Sequence, residues 1–318
     1  MIIKKFEYED ILVVGTVSNV SKSINQEIYR LMRALSNVKK VRFYLVESDS
    51  TDSTVHELSI LKSTLDSFDF LSLGILKETI PDRLDRIRFC RNKYIDFIRS
   101  CNLENCPTYT IVADLDGMNT AISKTGVKSC FKRLDWDVVT ANQTFGYYDI
   151  LALRKDGWQE ADWREEYESA KEALVLNRIN HFKLISRLRR FLYLDRLKHK
   201  LLYSKMKKIK KNSSWISVNS AFGGLAIYKT EIFHKYDYEK EFYSIETDHV
   251  SLNRKIVRGG GKIFINPLFI NSHFNEYNLN RIFLFRVVRN FIWKNRRIYR
   301  FFVKYFKGVL SKVIFNKH

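Results

Sequence analysis

The chain has 318 residues, 45% of them hydrophobic, which is enough apolar material for one large α/β domain or two smaller ones. Its formal net charge of +20 favours an anionic partner: nucleic acid, an acidic membrane face or a phosphorylated substrate. The first residues, MIIKKFEYED, lack the apolar run of a secretory signal, and no stretch of about 18 uncharged apolar residues predicts a spanning helix. We therefore expect a cytosolic protein.

Four apolar segments in the first half have the composition of strands: residues 11–17, 41–46, 70–76 and 109–113. Between them, apolar residues recur at helical intervals in residues 24–35, 55–65 and 84–98. Strands that are apolar on both faces and alternate with helices predict a parallel sheet covered by helices.

The second half has a looser pattern. Strand-like segments occur at residues 137–141, 148–153, 223–228 and 263–270. A long charged segment with helical spacing, about residues 158–212, is predicted to be a helical insertion or a mobile flap. The four cysteines, Cys90, Cys101, Cys106 and Cys130, lack C-x-x-C spacing and fit reduced thiols better than disulfides or a zinc site.

The end of the chain, residues 277–318, contains eleven lysine and arginine residues and no acidic residue. Aromatic and aliphatic residues recur there at three- and four-residue spacing, so we expect amphipathic helices with a cationic face. Such helices bind the interface of an anionic membrane, here the cytosolic face. A tail packed on the domain, or one that binds nucleic acid, are the alternatives.

Acidic residues follow two of the predicted strands. Glu47 and Asp49 come after the second strand, and Asp114 and Asp116 come after the fourth, in the sequence DLDG. Open α/β sheets bind ligands at the carboxyl ends of their strands. Hard divalent cations take oxygen ligands and often link a carboxylate to substrate phosphates, so D-L-D suits a metal–diphosphate site. The alternative is that both aspartates serve only as turn or helix-cap residues.

Three motifs occur in one order: ESDSTDST from Glu47, Cys90-Arg91-Asn92 on a predicted helix, and the DLD. Together they resemble the nucleotide-sugar-dependent glycosyltransferases of the GT-A fold, which show a D/E-x-x-S-T-D-x-T stretch, an A-R-N helix and a D-x-D. The resemblance covers roughly residues 9–145, with Cys90 in place of the alanine. It implies a Rossmann-like α/β fold with a mostly parallel central sheet between helices.

The resemblance also implies a division of the chain. Residues 1–276 would form the catalytic domain, with a nucleotide-sugar-binding half at 9–145 and an acceptor half at 146–276, and residues 277–318 the tail. Asp52 is expected to cap the following helix. Binding of the donor would involve Thr16, Ser18, Glu47, Asp49, Arg88, Arg91, Asn92 and Asp114. The metal, Mn²⁺ or Mg²⁺, would be held by Asp114, Asp116 and His273, a histidine that follows the last predicted strand.

Two further segments of the second half fit this interpretation. The turn SAFGG contains Phe222, Gly223 and Gly224, whose small residues could let backbone approach an acceptor sugar or simply form a tight turn. Glu246 and Asp248, in ETDH, open a predicted helix and are either catalytic carboxylates or helix-capping residues. In an inverting transfer one of them would be the base; in a retaining one it would stabilise the oxocarbenium or bind the acceptor.

The predicted function is a metal-dependent, hexosyltransferase-type glycosyltransferase. It would move a sugar from a UDP- or GDP-sugar to a surface glycan, either free or lipid-linked, at the cytoplasmic membrane face. A sugar-phosphate nucleotidyltransferase is an alternative, but GTVSNVSKS after the first strand lacks the expected G-x-G-x-R loop. A non-enzymatic nucleic-acid-binding protein is another, although it does not explain DLD, Arg91-Asn92 and SAFGG together, so no nucleic acid is expected as partner.

Overall fold

The structure is a computed structural model that describes residues 9–101, 106–176, 184–239, 246–273, 280–282 and 286. Its contacts divide the chain into two compact units, Met1–Phe274 and Asn275–His318. The strands and helices below all belong to the first unit. The predicted basic helices of residues 277–318 lie outside the described residues, apart from 280–282 and 286.

One sheet of eight strands runs through the first unit in the order β3-β2-β1-β4-β7-β5-β8-β6. Six strands run in the same direction, whereas β6 and β7 run against their neighbours. The strand bounds are β1 Asp10–Val17, β2 Lys40–Glu47, β3 Phe68–Ser72, β4 Tyr109–Ala113, β5 Val138–Gln143, β6 Ile216–Val218, β7 Leu225–Lys229 and β8 Ile263–Ser272.

Helices cover both faces of this sheet. The helix bounds are α1 Ile24–Ala34, α2 Thr54–Thr64, α3 Arg83–Ser100, α4 Lys124–Cys130, α5 Trp163–Leu176, α6 Leu184–Leu201, α7 Glu231–Lys235 and α8 Asp248–Arg258. Along β1, Ile11 and Val13 join a core with α1, α2 and α4, while Leu12 and Val14 join a second core with α3, α7 and α8. A strand buried on both faces reads as a continuous apolar run. The predicted fold class, α/β with a mostly parallel sheet between helices, is confirmed.

The prediction of a strand at residues 148–153 is wrong. These residues form turns, because Asp149 accepts a hydrogen bond from the backbone of Ala152 and the Ile150 amide bonds to the Tyr148 carbonyl. The third strand also ends earlier than predicted, at Ser72, and Gly74 follows with a φ of +64°. Hydrogen bonding by Asp149 in the first place, and the left-handed conformation of Gly74 in the second, override the apolar sequence pattern that predicts a strand.

The charged segment predicted as an insertion contains α5 and α6, so its helical character is confirmed in the described part. Its two ends are anchored, because Trp158, Tyr203 and Met206 are buried in the second core. Within the described residues, no helix is both long enough and apolar enough to cross a membrane.

The turn before β7 requires glycine. Gly223 and Gly224 have φ values of +72° and +79°, in the left-handed region that side chains disfavour. A Cβ on Gly223 would also lie 2.8 Å from the Ala141 carbonyl oxygen, and one on Gly224 would lie 2.7 Å from the Tyr148 hydroxyl. The tight-turn interpretation of SAFGG therefore has direct structural support.

We predict that Gly223→Ala destabilises the protein more than Gly260→Ala does. Gly260 has a φ of +84° but no atom within 4 Å of its Cβ position, so alanine there should cost only about 1 kcal/mol of backbone strain. The backbone clash at Gly223 should add at least about 1 kcal/mol. Urea denaturation of both variants measures the difference, and equal losses would show that the contact with Ala141 is relieved without cost.

Candidate active site

The DLD segment and the SAFGG turn meet at one edge of the sheet. The carboxyl ends of the parallel strands lie at this edge, and β7, being antiparallel to β4, begins there. The Asp114 amide donates a hydrogen bond to the Gly224 carbonyl over 2.9 Å. Asp114 and the glycine turn, 110 residues apart in sequence, are therefore direct neighbours.

A buried carboxylate fixes the loop that carries the two aspartates. Glu27, on α1, accepts hydrogen bonds from the backbone and side-chain nitrogens of Asn119 at 3.0 and 2.7 Å. The same Asn119 amide donates to the Asp114 carbonyl over 2.7 Å. Gly117, at φ +100°, turns the backbone directly after Asp116, and Asp116 is exposed. Glu27 and Asn119 thus hold the loop against α1, while the carboxylate of Asp116 stays exposed and that of Asp114 half-buried.

Arg91 of α3 is the central cation of the site. It is only 8% exposed, and its Nη1 lies 2.6 Å from Asp248 Oδ2, while its Nη2 lies 4.0 Å from Asp114 Oδ1. The rings of Phe222 and Tyr238 flank the guanidinium at 5.8 and 5.4 Å. Burial lowers the pKa of Arg91, but Asp248, Tyr94, Tyr238 and Asp114 together more than offset this and the net shift is upward. Arg91 therefore remains a fixed positive charge between two carboxylates.

Carboxylates crowd the end of β4. Desolvation raises the pKa of Asp114 to about 7, Arg91 opposes this shift, and Asp116, Asp149 and Asp248 add to it. Crowded carboxylate oxygens near a single guanidinium are a donor set for a hard divalent cation. Mg²⁺-type sites often use only one or two carboxylates plus substrate phosphates, so Asp114 and Asp116 fit this role.

His273 does not complete a three-ligand cluster. Across the described ranges, no three His, Cys, Asp or Glu side chains come together in a group that could hold a metal ion. His273 is exposed, and its Nδ1 lies 2.8 Å from the Thr144 hydroxyl. A role for His273 as metal ligand stays a prediction.

The predicted donor-binding residues of the first two strands lie at the same edge. Thr16 is half-buried in β1, and Ser18 is exposed just after it. Glu47 is buried at the end of β2, where it accepts hydrogen bonds from the Ser50 amide and the Ser72 hydroxyl. These residues border the predicted nucleotide position, but their role in binding stays a prediction.

Asp49 and Asp52 hold loops in place. Asp49, at φ +59°, accepts a hydrogen bond from the Lys77 amide at 2.9 Å and pairs with Arg86 at 3.2 Å. Asp52 accepts hydrogen bonds from both Ser21 and Thr54, the first residue of α2. The expectation that Asp52 caps this helix is wrong by one residue. The N-cap is Ser53, and Asp52, just before it, accepts the hydrogen bond of the Thr54 amide.

The other two predicted residues of α3 are already bonded within the protein. Arg88 pairs with Asp85 one turn earlier. The side-chain amide of Asn92 bonds to both the carbonyl and the amide of Tyr238, at 2.9 and 3.0 Å. Asn92 thus fixes the segment whose Tyr238 ring lies against Arg91, whatever else it binds.

Both predicted catalytic carboxylates are held by arginines. Asp248 begins α8, as expected, and pairs with Arg91. Glu246 pairs with Arg154 at 3.1 Å and with Arg254. Arg154 is itself buried, and its remaining donors reach the carbonyls of residues 151 and 153. The two carboxylates therefore have defined orientations before any substrate binds.

His249, the second residue of α8, is a buried side chain beside Phe222. It is 5% exposed, it stacks on Phe222 at 3.7 Å, and neither ring nitrogen has a partner among the described residues. Burial, together with the nearby Arg91 charge, lowers its pKa well below the usual value. His249 is therefore neutral, and its ring stacks against the Phe222 ring.

Asp149 and Arg154 are site residues that the sequence reasoning missed. Asp149 Oδ2 accepts a hydrogen bond from the Gly223 amide over 2.9 Å, and Arg154 orients Glu246. Both residues lie in the segments misread as strand or left unassigned. No local pattern distinguishes them, since their partners lie 74 and 92 residues away.

No protein-family model and no curated protein sequence matches the chain. Solved structures do match. The mannosyltransferase PcManGT from Pyrobaculum calidifontis, in complex with GDP-Man and Mn²⁺, is 12% identical over 84% of this chain and 57% of its own, with a TM-score of 0.47. S. aureus TarS in complex with UDP-GlcNAc is 10% identical over 80% of this chain and 55% of its own, with a TM-score of 0.41.

A third match is glucosyl-3-phosphoglycerate synthase from Mycobacterium tuberculosis in complex with UDP. It is 10% identical over 83% of this chain and 69% of its own, with a TM-score of 0.36. In all three structures the bound molecule is a nucleotide sugar or a nucleoside diphosphate. The chain spans somewhat over half the length of the first two, and likenesses at this level do not establish its activity.

The Arg91–Asp248 pair should be far more important for stability than an exposed pair. Asp248→Asn leaves the buried guanidinium without its main counter-charge, which should cost about 3 kcal/mol of unfolding free energy. Glu168→Gln is the matched control, because the Glu168–Lys171 pair lies at the surface and should contribute little to stability. Chemical denaturation compares the two, and a loss at Asp248 no larger than the control would contradict the central role of the pair.

His249 should make the protein less stable at mildly acidic pH. Because its pKa is lowered in the folded state, the unfolded chain binds the proton first as pH falls below about 6.5. The stability contribution is thus complete above that pH and declines towards pH 5. His249→Phe should remove this contribution, whereas exposed His56→Gln should not. The raised pKa of Asp114 acts in the opposite direction over the same range, and that contribution is shared by all three proteins. Denaturation midpoints between pH 5 and 8 measure this, and parallel curves for wild type and His249→Phe would refute it.

Proposed function

We propose that this protein is a metal-dependent glycosyltransferase that moves a sugar from a UDP- or GDP-sugar to a glycan acceptor. The observation that supports this most directly is the shared position of Asp114 and Asp248 on either side of Arg91. One carboxylate stands at the end of a parallel strand, where a diphosphate would bind, and the other begins a helix of the acceptor half. The arrangement would thus offer Asp114 to the leaving diphosphate and Asp248 to the attacking acceptor hydroxyl.

The diphosphate side would consist of Asp114, Asp116 and Arg91. Asp114 and Asp116 would hold Mn²⁺ or Mg²⁺, which when bound supplies charge neutralisation for the leaving diphosphate. His273 is proposed as a further ligand that reaches the ion only with the donor in place. Arg91 adds a fixed positive charge near the phosphates, and its burial strengthens that interaction.

The base or ribose of the donor would bind along the ends of β1 and β2. We assign this contact to Thr16, Ser18, Glu47 and Asp49, which line the same edge. Arg88 and Asn92 are proposed to contact the diphosphate or sugar from α3. Because Asp49 and Asn92 are already bonded to backbone, they would act by fixing the shape of the pocket as much as by direct contact.

We assign the proton-accepting role in an inverting transfer to Asp248. It shares Arg91 with Asp114, so it lies nearer the proposed diphosphate than Glu246 does. A general base must reach the acceptor hydroxyl within hydrogen-bond distance. Glu246, held between Arg154 and Arg254, would orient the acceptor instead, together with backbone at Phe222, Gly223 and Gly224.

The basic tail, residues 277–318, is proposed to bind an anionic membrane surface at its cytoplasmic face. Its composition supports this: it has eleven cations, many aromatic residues and no acidic residue. A lipid-linked glycan acceptor would explain why a catalytic domain carries such a segment.

The nucleotidyltransferase alternative is less well supported. Its phosphate-binding loop would follow β1, where this chain has Asn19 and Ser21 instead of a glycine-rich loop. The amides of Asn19 and Ser21 are bonded to Ser50 and Asp52, and so are not available for phosphates.

Asp116→Asn should abolish metal-dependent nucleotide binding without unfolding the protein. Asp116 is exposed, so the Asp116→Asn variant should fold normally. Its neutral side-chain amide should be a much weaker metal ligand than the carboxylate. Thermal unfolding with Mn²⁺ plus UDP or GDP measures binding, because a ligand of the native state raises the midpoint. We expect a rise for the wild type that is lost in EDTA and in Asp116→Asn.

Asp66→Asn is the control, since Asp66 is exposed before β3, at the opposite edge of the sheet. It should behave as the wild type. A metal-dependent midpoint rise that survives in Asp116→Asn would remove the proposed ligand. No rise with either nucleotide in the wild type, and no release of UDP or GDP from nucleotide sugars, would reject the transferase.

A further inference from the structure

A cavity lies apart from the residues assigned above. It is open to solvent, has a volume of about 500 Å³ and is lined by residues 157–163, the first turn of α5, the end of α6 and Lys205. This volume is within the range of small-molecule binding sites. None of the donor-binding, metal-binding or catalytic residues discussed so far lines it.

Two tryptophans line this cavity. Trp158 is rigidly held, because its indole N–H donates to the Lys205 carbonyl over 2.7 Å and its ring packs edge-on against Tyr147 at 5.8 Å. Trp163 is only half-buried, and its indole N–H has no partner among the described residues. Flat aromatic rings suit a ligand that has C–H faces, as a sugar ring does.

The charge of the cavity wall is opposite to that of the chain. The carboxylates of Glu160, Glu165 and Glu166 line it together with one cation, Lys205, while the carboxylate of Asp162 is already paired with Arg164 at 2.6 Å. Two further lysines lie outside this lining, Lys198 at 5.5 Å from the Trp163 ring and Lys207 at 5.5 Å from the Trp158 ring. Like charges repel phosphate, nucleotide and anionic lipid headgroups from such a wall. Ionised carboxylates accept hydrogen bonds, and the hydroxyl groups of a neutral sugar supply donors.

The cavity is connected to the candidate active site by one buried side chain. Arg154 Nη2 lies 3.8 Å from Asp162, on the cavity wall, and 3.1 Å from Glu246. We propose that the cavity between residues 157–163 and α6 binds a neutral saccharide unit of the acceptor glycan. The acceptor role rests on the proposed function, whereas the preference for a neutral saccharide follows from the wall itself.

Saturation-transfer NMR with soluble probes tests the site. The probes are methyl glycosides and disaccharides of glucose, galactose, mannose and N-acetylglucosamine, with the corresponding sugar 6-phosphates as anionic counterparts. We expect at least one neutral probe to bind. The corresponding sugar phosphate should bind at least about tenfold more weakly, because the cavity wall is acidic. No binding by any neutral probe, or tighter binding by the phosphates, overturns the proposal.

Variants locate the binding. Trp163→Ala should weaken binding of the neutral probe about tenfold, whereas Trp163→Phe, which keeps a ring, should retain most of it. Trp215→Ala is the control, since Trp215 packs on Phe264 and Arg133. Should Trp163→Ala not fold, Glu165→Gln with Glu166→Gln changes exposed residues only and should weaken binding about fivefold. Wild-type affinity in Trp163→Ala would overturn the proposed binding site. If Trp163→Ala does not fold, wild-type affinity in the double glutamine variant would overturn it.

The same samples separate this proposal from the proposed function. Nucleotide binding with Mn²⁺, but no saccharide binding, rejects the cavity and leaves the transferase intact. Saccharide binding without nucleotide binding rejects the acceptor role. Where both bind, Trp163→Ala should lower transfer to the bound saccharide while hydrolysis of the nucleotide sugar continues at the wild-type rate, and a parallel loss of both overturns the acceptor role.

Discussion

The buried charge of Arg91 is the constraint on which the candidate site depends. An unpaired guanidinium at this depth would cost several kcal/mol, so its partners must be present whenever the protein is folded. Those partners come from distant parts of the chain: Asp248 lies 157 residues later, and Phe222 and Tyr238 flank the cation. Satisfying one side chain therefore brings the start of α8 and the turn before β7 to the end of β4.

The antiparallel strand β7 is what makes this arrangement possible. A strand parallel to β4 would begin at the opposite edge of the sheet and carry the glycine turn away from Asp114. With β7 reversed, Gly224 bonds directly to the Asp114 amide and Gly223 bonds to Asp149. The positive φ values at both glycines are the local requirement for this reversal, so the backbone geometry and the site are specified together.

The parts of the fold that the sequence predicted are those set by local periodicity. The strand at 109–113 and the helix of Arg91 were found essentially where expected, because burial on one or two faces leaves a readable pattern. The acidic loop was recognised from its position after a strand. What the sequence could not reveal depends on contacts between distant residues, such as Asp149 with Gly223 and Arg154 with Glu246. The segment 148–153 has the apolar pattern of a strand, and nothing in the local sequence shows that Asp149 accepts a hydrogen bond from the Gly223 amide.

Electrostatics divides the described part of the chain into regions with different ligand preferences. At the end of β4, desolvation and neighbouring acids raise the pKa of Asp114 to about 7, so the carboxylates there are under mutual repulsion that a bound cation would relieve. In the proposed function, a diphosphate at this edge would gain from that cation and from Arg91. The lining of the cavity beside Trp158 and Trp163 has more carboxylates than cations, so it would disfavour the same ligand. If the proposed function holds, the neutral sugar and the diphosphate would occupy separate places, as transfer between two substrates requires.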